Sequence, residues 1–252
     1  MMGLTRSTWL ARDEPGKQEA RLYRRAFWAA VLITVAAWLL PLGGLAIYPF
    51  SLLSTWAHEM GHGLAALITG GSFVKLEVHP ALSGLATTGC AGDLARAIVS
   101  AGGLVGAPLL GAAVVALGYR PGWARGLLYG FAGALALSVA IWVRNPFGIV
   151  ALPLLAAAIA WAGWKLQPRW RFILVQLLGV QLSLSVLRGL DYLFMADAKV
   201  GGKIMQSDVS SIAKALGGPY WLWGVLILAF NLGLLYGAYR LVLRRLRRAT
   251  AS

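Results

Sequence analysis

Seven long apolar runs, separated by short polar or turn-forming segments, dominate the pattern of the chain. They lie at about residues 26–48, 50–69, 94–118, 123–143, 147–164, 171–194 and 219–241. A membrane-crossing helix needs about 20 mostly apolar residues, and most of these runs have that length or come close to it. The pattern predicts an all-α polytopic membrane protein that forms a single membrane domain without internal repeats.

Two polar pieces interrupt the apolar pattern. Between Phe73 and His79 apolar and polar residues alternate, which is the period of a β-strand. Pro80 and Gly84 then allow the chain to reverse, so we predict a small β-hairpin directly after the second helix. The other piece, residues 196–218, is predicted to be a polar loop that contains one short helix.

The composition supports a membrane location. Only 13% of the residues are charged and 59% are hydrophobic, whereas a soluble domain carries about a quarter charged residues. The 23 Lys and Arg outnumber the 9 Asp and Glu, and the net charge is +14. These basic residues cluster at the chain ends and in short gaps between apolar runs. We therefore interpret them as signals of membrane orientation and contacts with anionic lipid, and we expect no nucleic-acid partner.

The basic ends also constrain the number of crossings. The positive-inside rule places both termini in the cytoplasm, which requires an even number of crossings. We predict basic cytoplasmic tails at residues 1–25 and 244–252 around one membrane-embedded domain, residues 26–243. About six of the seven runs should then cross the membrane. The run that fails is expected to be residues 147–164 or the first run, which is broken around Pro41. With the N-terminus inside, the second helix should run toward the cytoplasm.

The second helix contains the sequence HExxH, formed by His58, Glu59 and His62. Positions four apart lie on one face of a helix, so both imidazoles can bind one metal ion, with Glu59 placed to take a proton from water. Cys90 is the only cysteine, so a site built from several thiolates is excluded. Ionisable residues within an apolar helix are costly and usually functional, although hydrogen bonding between helices is an alternative role for them.

A hydrolytic zinc site needs a third protein ligand. Asp93 and Asp208 stand at predicted helix starts, where capping would explain them, and Asp197 lies in a polar loop. Asp191 lies near the end of an apolar run, where an ion pair with Arg188 is the competing explanation. We predict Asp191 as the third ligand, hold Asp208 in reserve, and keep His79 as a further alternative.

The sequence resembles the site-2 protease family of intramembrane zinc metalloproteases, and most closely its compact bacterial branch without a PDZ domain. The resemblance is carried by HEMGHGLAALITGG from His58, by the following hairpin that ends near Gly84, and by residues 100–106. That family usually carries an Asn-Pro motif that ends in Asp-Gly. Here Asn145 and Pro146 are followed by Phe147 and Gly148, without an aspartate.

The resemblance implies a bacterial cell-membrane enzyme that cleaves a membrane protein in or near a transmembrane segment. It implies Zn²⁺ held by His58, His62 and an aspartate from a later helix, and water activated by Glu59. The free edge of the hairpin could receive a substrate strand. The sequence leaves open whether a regulatory membrane partner takes part. Two alternative functions also stay open: a catalytically inactive membrane scaffold or regulator of the same fold, and an ion or proton transporter.

Overall fold

The protein is an assembly of helices with two small β-hairpins. The computed structural model describes residues 15–200 and 203–249. The helices are α1 (Pro15–Leu39), α2 (Gly43–Ala46), α3 (Tyr48–Ile68), α4 (Gly92–Leu117), α5 (Ala124–Ile141), α6 (Pro146–Lys165), α7 (Pro168–Arg188), α8 (Leu190–Leu193), α9 (Asp208–Leu216) and α10 (Tyr220–Ala249). The strands are β1 (Ser72–Val78), β2 (Gly84–Gly89), β3 (Asp197–Val200) and β4 (Lys203–Gln206).

The predicted apolar runs correspond to helices in order. The first run is broken after Leu39, as the proline and glycine pattern indicated, and α3 carries the HExxH sequence as expected. Two terminal helices are longer than predicted, because α1 begins at Pro15 and α10 continues to Ala249. The predicted basic tails are therefore partly helical within the described residues.

The predicted hairpin is present, and residues 142–145 pair with the outer edge of its first strand. β1 and β2 pair antiparallel. On the other edge of β1, Leu76 N–H donates to the Trp142 carbonyl at 2.8 Å, and Arg144 N–H donates to the Leu76 carbonyl at 3.1 Å. The buried Asn145 amide continues this edge, since it accepts from Val78 N–H at 3.1 Å and donates to the Val78 carbonyl at 2.6 Å. The edge of β1 is therefore occupied, and the outer edge of the hairpin belongs to β2.

The polar piece at residues 196–218 contains more structure than predicted. The expected short helix is α9. It is preceded by an antiparallel hairpin, β3 and β4, which sequence reasoning missed. This hairpin and α8 connect the end of α7 to the start of α9.

Within residues 15–200 and 203–249, six helices are long and apolar enough to cross a membrane. They are Gln18–Leu39, Gly92–Leu117, Pro121–Ile141, Pro146–Lys165, Pro168–Arg188 and Tyr220–Arg248. The number agrees with the prediction of about six crossings. Both runs that we had doubted belong to this set, and the run outside it is the HExxH helix α3.

Contacts between the helices define their relative directions. α3 runs antiparallel to α4, because Gly61 lies against Gly102 and Gly106 lies against Ala57. Small residues at these points let the two backbones approach closely. α10 runs parallel to α4, since Asn231 donates to the Leu104 carbonyl at 3.1 Å while Arg245 lies over Tyr119 at 6.0 Å, near the end of α4.

α1 begins beside the second half of α10, where Tyr23 stacks on Tyr239. Its other end reaches the cavity that α3 and α4 also line, because Trp38 belongs to that lining. α1 alone is long and apolar enough to cross a membrane, so α3 is the apolar run that lies outside the set of candidate spans.

Candidate metal centre

Helix α3 places both histidines of the HExxH sequence on one face. The Nε2 atoms of His58 and His62 are 3.1 Å apart. His62 is held in orientation through its other ring nitrogen, because Nδ1 lies 2.8 Å from the Val99 carbonyl of α4. A hydrogen bond from the second ring nitrogen is the usual way in which a metal-binding histidine is fixed.

Asp208 is the aspartate that the fold brings to the histidines. Its Oδ2 lies 3.3 Å from His58 Nε2 and 3.4 Å from His62 Nε2. The residue is the first of α9, which packs on α4. Ser207 caps this helix by accepting a hydrogen bond from Ser210 N–H at 3.3 Å. The Asp208 carboxylate is therefore free to face α3.

The dimensions of this triad fit a zinc ion. Tetrahedral zinc with bonds of about 2.0–2.1 Å requires ligand atoms about 3.3 Å apart. The three sides of the His58, His62 and Asp208 triangle measure 3.1, 3.3 and 3.4 Å. Two imidazoles and one carboxylate are also a ligand set of catalytic zinc sites, which leave a further position open.

Tyr192 supports the Asp208 carboxylate. Its hydroxyl donates to Asp208 Oδ2 at 2.8 Å, and its ring centroid lies 6.3 Å from that of His58. Burial and the neighbouring carboxylate raise the pKa of Tyr192 far above its usual range, so the hydroxyl stays protonated. Burial alone would raise the pKa of Asp208, but the imidazoles of His62 and His58 outweigh it and hold that pKa well below its usual range.

Glu59 lies between the histidines and the hairpin. It is only 6% exposed. A methyl group added at Gly84 would lie 2.5 Å from Glu59 Oε1, so β2 passes in direct contact with this carboxylate. The backbone N–H of Ala86 hydrogen-bonds to the same side chain. The close approach requires a glycine at position 84.

The outer edge of β2 faces this site. Backbone groups of successive strand residues point alternately to either side. Leu76 and Val78 direct theirs away from β2, toward residues 142–145. Their partners in the register, Ala86 and Gly84, must therefore direct their own groups away from β1. The free edge of the hairpin thus passes Glu59.

A cavity of about 740 Å³ contains His58 and Glu59 in its lining. Its walls come from α1, α3, α4, α7 and the hairpin turn, which Thr55 fastens to α3 by donating to the Leu82 carbonyl at 3.1 Å. Exposed charged residues of the lining, including Arg188, Asp191 and Asp197, lie at or beyond the end of α7. The cavity therefore connects the metal centre with this end of the helix bundle.

The other predicted ligand positions lie apart from the triad. Asp191 is on the short helix α8, exposed in the cavity lining, and is not one of the three clustered ligands. Arg188, its expected ion-pair partner, instead donates to the Ser51 hydroxyl. His79 follows β1 and has its backbone N–H bonded to Ser83. Glu77 pairs with Lys75 at 3.0 Å and Asp93 with Arg96 at 3.1 Å.

Comparison with known proteins adds one match. The family model described as Peptidase M50B-like matches residues 28–238, which is most of the chain. No curated protein and no solved structure matches.

Proposed function

Because the chain belongs to the Peptidase M50B-like family, we propose that it is an intramembrane zinc endopeptidase that hydrolyses a peptide bond in or near a transmembrane segment. The observation that carries this proposal is the convergence of His58, His62 and Asp208 beside the buried Glu59. A family of peptidases and six apolar helices already indicate a protease with several membrane spans. The triad adds a place for the metal.

In this proposal His58, His62 and Asp208 hold the zinc ion. A bound zinc ion supplies a Lewis acid that polarises a carbonyl group and lowers the pKa of water. Asp208 replaces Asp191, our first choice for the third ligand, because Asp208 is the one acidic residue of the described chain within ligand distance of both histidines. Val99 and Tyr192 fix the orientation of His62 and Asp208.

Glu59 acts as the general base. Glu59 directly follows His58 on α3 and belongs to the same cavity lining. It takes a proton from the attacking water and later delivers it to the amine of the leaving peptide. The contact with Ala86 holds the carboxylate in place, so no reorganisation is needed before the reaction.

The substrate binds as an extended strand on the outer edge of β2. A peptide bond within a helix has its carbonyl group occupied, so a transmembrane segment must unwind before it can be cleaved. The backbone groups of Gly84 and the carbonyl of Ala86 at the free edge can pair with such an unwound segment. This pairing would bring the peptide bond past Glu59.

The membrane orientation follows from the distribution of charge. The ends of α4, α6 and α10 and the starts of α5 and α7 lie at one end of the bundle and carry Arg or Lys without any Asp or Glu. The positive-inside rule assigns this end to the cytoplasm. Acidic residues at the opposite end include Asp93, Asp191 and Asp197. We therefore propose cytoplasmic termini and a cavity that is reached from the other side of the membrane. In this orientation α3 runs away from the cytoplasm, which differs from the direction that we expected from the sequence.

Wild type and Glu59→Gln, purified from fresh membranes, test the enzymatic proposal. Both forms should contain one zinc ion per chain by mass spectrometry, because the substitution leaves the three ligands in place. Only wild type should cleave co-expressed membrane proteins, and the loss in Glu59→Gln should exceed about 100-fold, in the range of lost general-base catalysis. Zinc-free wild-type protein, or equal cleavage by both forms, would contradict the proposal.

A further inference from the structure

The Asn-Pro pair at residues 145–146 is a sequence motif that the proposed mechanism leaves without a role. Asn145 is the N-cap residue of α6, and Pro146 is the first residue of that helix. An asparagine at an N-cap ordinarily accepts a hydrogen bond from a backbone N–H in the first turn of its own helix. The Asn145 side chain makes no such bond, so helix capping does not account for this residue.

The Asn145 side chain binds the hairpin instead. It is buried, and both of its amide atoms pair with the backbone of Val78, Oδ1 accepting at 3.1 Å and Nδ2 donating at 2.6 Å. An amide places its donor and acceptor side by side, so it pairs with a residue of β1 as a neighbouring strand would. Gly148 leaves room for this arrangement, because a Cβ at that position would lie 2.6 Å from Asn145 Oδ1.

Val78 stands opposite the point at which β2 contacts Glu59. It is paired with Gly84 in the hairpin register, and a Cβ added at Gly84 would lie 2.5 Å from Glu59 Oε1. On the edge of β1 away from β2, Leu76 is held by the backbone of residues 142–144, whereas Val78 is held by Asn145. The Asn145 amide therefore supports the end of β1 that lies behind the contact with Glu59.

We propose that Asn145 is a positioning residue of the peptidase reaction, an inference that rests on the proposed function. Its side chain does not line the cavity, so it acts through the hairpin. It holds β1 in place, and the position of β1 in turn fixes the contact of β2 with Glu59 and the direction of the free edge. Thr55 fastens the turn, at Leu82, and therefore does not replace this support along the strand.

Hydrogen–deuterium exchange of the full chain in detergent micelles measures this support directly. Asn145→Ala removes both hydrogen bonds, whereas Gly148→Ala keeps the amide and displaces it. In both variants the amides of residues 84–89 should exchange about tenfold faster than in wild type, because hydrogen bonds that hold the partner strand are lost or weakened. Gly133→Ala, whose added Cβ meets no atom within 4 Å, should exchange as wild type does.

A double-variant cycle connects this support to the reaction. The rate is measured on a membrane protein that wild type cleaves in the co-expression test. Asn145→Ala should reduce cleavage about tenfold and keep one zinc ion per chain, since the proposed ligands lie on α3 and α9. Adding Asn145→Ala to Gly84→Ala should cause little further loss, because both substitutions disturb the same contact of β2 with Glu59. Substitutions at independent sites would multiply their losses.

Gln176→Ala is the control for a general loss of stability. Gln176 is fully buried, and its Nε2 donates to the Gly118 carbonyl at the end of α4 at 2.8 Å, away from the hairpin. Like Asn145→Ala, this substitution removes a bond between a buried side-chain amide and a backbone carbonyl. It should lower the midpoint of thermal unfolding but leave cleavage and the exchange of residues 84–89 unchanged.

Unchanged exchange at residues 84–89 in Asn145→Ala, cleavage at the wild-type rate, or losses that multiply in the double variant would overturn the inference. Equal losses in Gln176→Ala would overturn it as well, because Asn145 would then contribute only to folding. If exchange rises as expected but wild type cleaves nothing, the failure lies with the proposed peptidase activity and not with the contact between Asn145 and the hairpin.

Discussion

Removal of the Asp208 carboxylate should empty the metal site. In the proposed site Asp208 supplies one of three ligands, and two imidazoles on one helix turn bind zinc far more weakly than a complete triad. We expect Asp208→Ala to lose zinc after dialysis against a mild chelator, as measured by mass spectrometry of the purified protein. Asp191→Ala is the matched control, because Asp191 lines the same cavity outside the triad, and it should retain zinc.

The reverse result, with zinc lost in Asp191→Ala and kept in Asp208→Ala, would restore Asp191 as the ligand.

The sequence did not show which of these two aspartates would be the ligand, because Asp208 stands at a helix start, where capping accounts for most aspartates. In the structure Ser207 performs the capping. A serine directly before an aspartate at a helix start was the signal that capping did not require the aspartate. Asp191, in contrast, lies beyond the end of α7, outside the apolar helix to which the sequence pattern assigned it.

Tyr192 should affect zinc affinity without binding zinc itself. Its hydroxyl donates to the same oxygen of Asp208 that faces both histidines. Groups that hold a ligand in this way typically contribute 10- to 100-fold to metal affinity. We expect Tyr192→Phe to raise the zinc Kd by about 10-fold in competition with a fluorescent chelator.

The control for Tyr192 is Tyr129→Phe, which removes a hydroxyl at the opposite end of the bundle, where Tyr129 lies beside Arg125. It should leave the zinc Kd unchanged. Equal affinities in wild type and Tyr192→Phe would show that Asp208 is held in place by α9 alone.

Among the elements, the proposed chemistry depends most directly on the hairpin β1–β2, which contacts Glu59. A side chain at position 84 would collide with Glu59, because the added Cβ lies 2.5 Å from both Glu59 Cγ and Oε1. Gly84→Ala should therefore displace the base or the edge strand and reduce cleavage by at least about 10-fold, which corresponds to 1.4 kcal/mol in the barrier. Zinc content should stay at the wild-type value, since the three ligands are on α3 and α9.

Gly133→Ala is the matched substitution for this prediction, because its added Cβ meets no atom within 4 Å. It should leave both cleavage and zinc content unchanged. If Gly84→Ala cleaves as well as wild type, then β2 does not hold Glu59 in its working position.

Most helices and the first hairpin could be predicted from the sequence, but the contacts between elements far apart in the chain could not. The two-residue alternation from Phe73 gave the hairpin, and the spacing of His58 and His62 gave a metal-binding face. The pairing of Leu76 with residues 142–144 joins segments far apart in sequence, and no local pattern records such a contact. The second hairpin was missed because strands of four residues are too short for an alternation to be distinguished from a loop.

At the scale of the whole molecule, the helix that carries the chemistry is the apolar run that is not a candidate span. The sequence pattern contains seven apolar runs, whereas six helices of the described residues are long and apolar enough to cross a membrane. The helix outside this set is α3, in which His58, Glu59 and His62 interrupt the apolar character. Six is an even number, as the expectation of two cytoplasmic ends requires. The run that fails could not be identified from sequence, because α3 has the length of a membrane span and α1 is followed by a break at Pro41.

The proposed orientation predicts which residues reagents outside the cell can reach. In a Cys90→Ser background, Lys214→Cys places a thiol on the exposed face of α9, the helix that carries Asp208, and Gly122→Cys places one in the exposed turn between α4 and α5. A membrane-impermeant maleimide applied to intact spheroplasts should label Lys214→Cys and spare Gly122→Cys. Permeabilised cells should be labelled at both positions.

The two thiols also serve as controls for each other, because both lie on exposed backbone away from the triad and both variants should keep zinc. The opposite pattern, with Gly122→Cys labelled from outside, would place the basic ends of α6 and α10 outside the cytoplasm against the positive-inside rule. The cavity would then open to the cytoplasm. Because Arg188, Asp191 and Asp197 lie at the mouth of the cavity, this one measurement also decides from which side an unwound substrate enters.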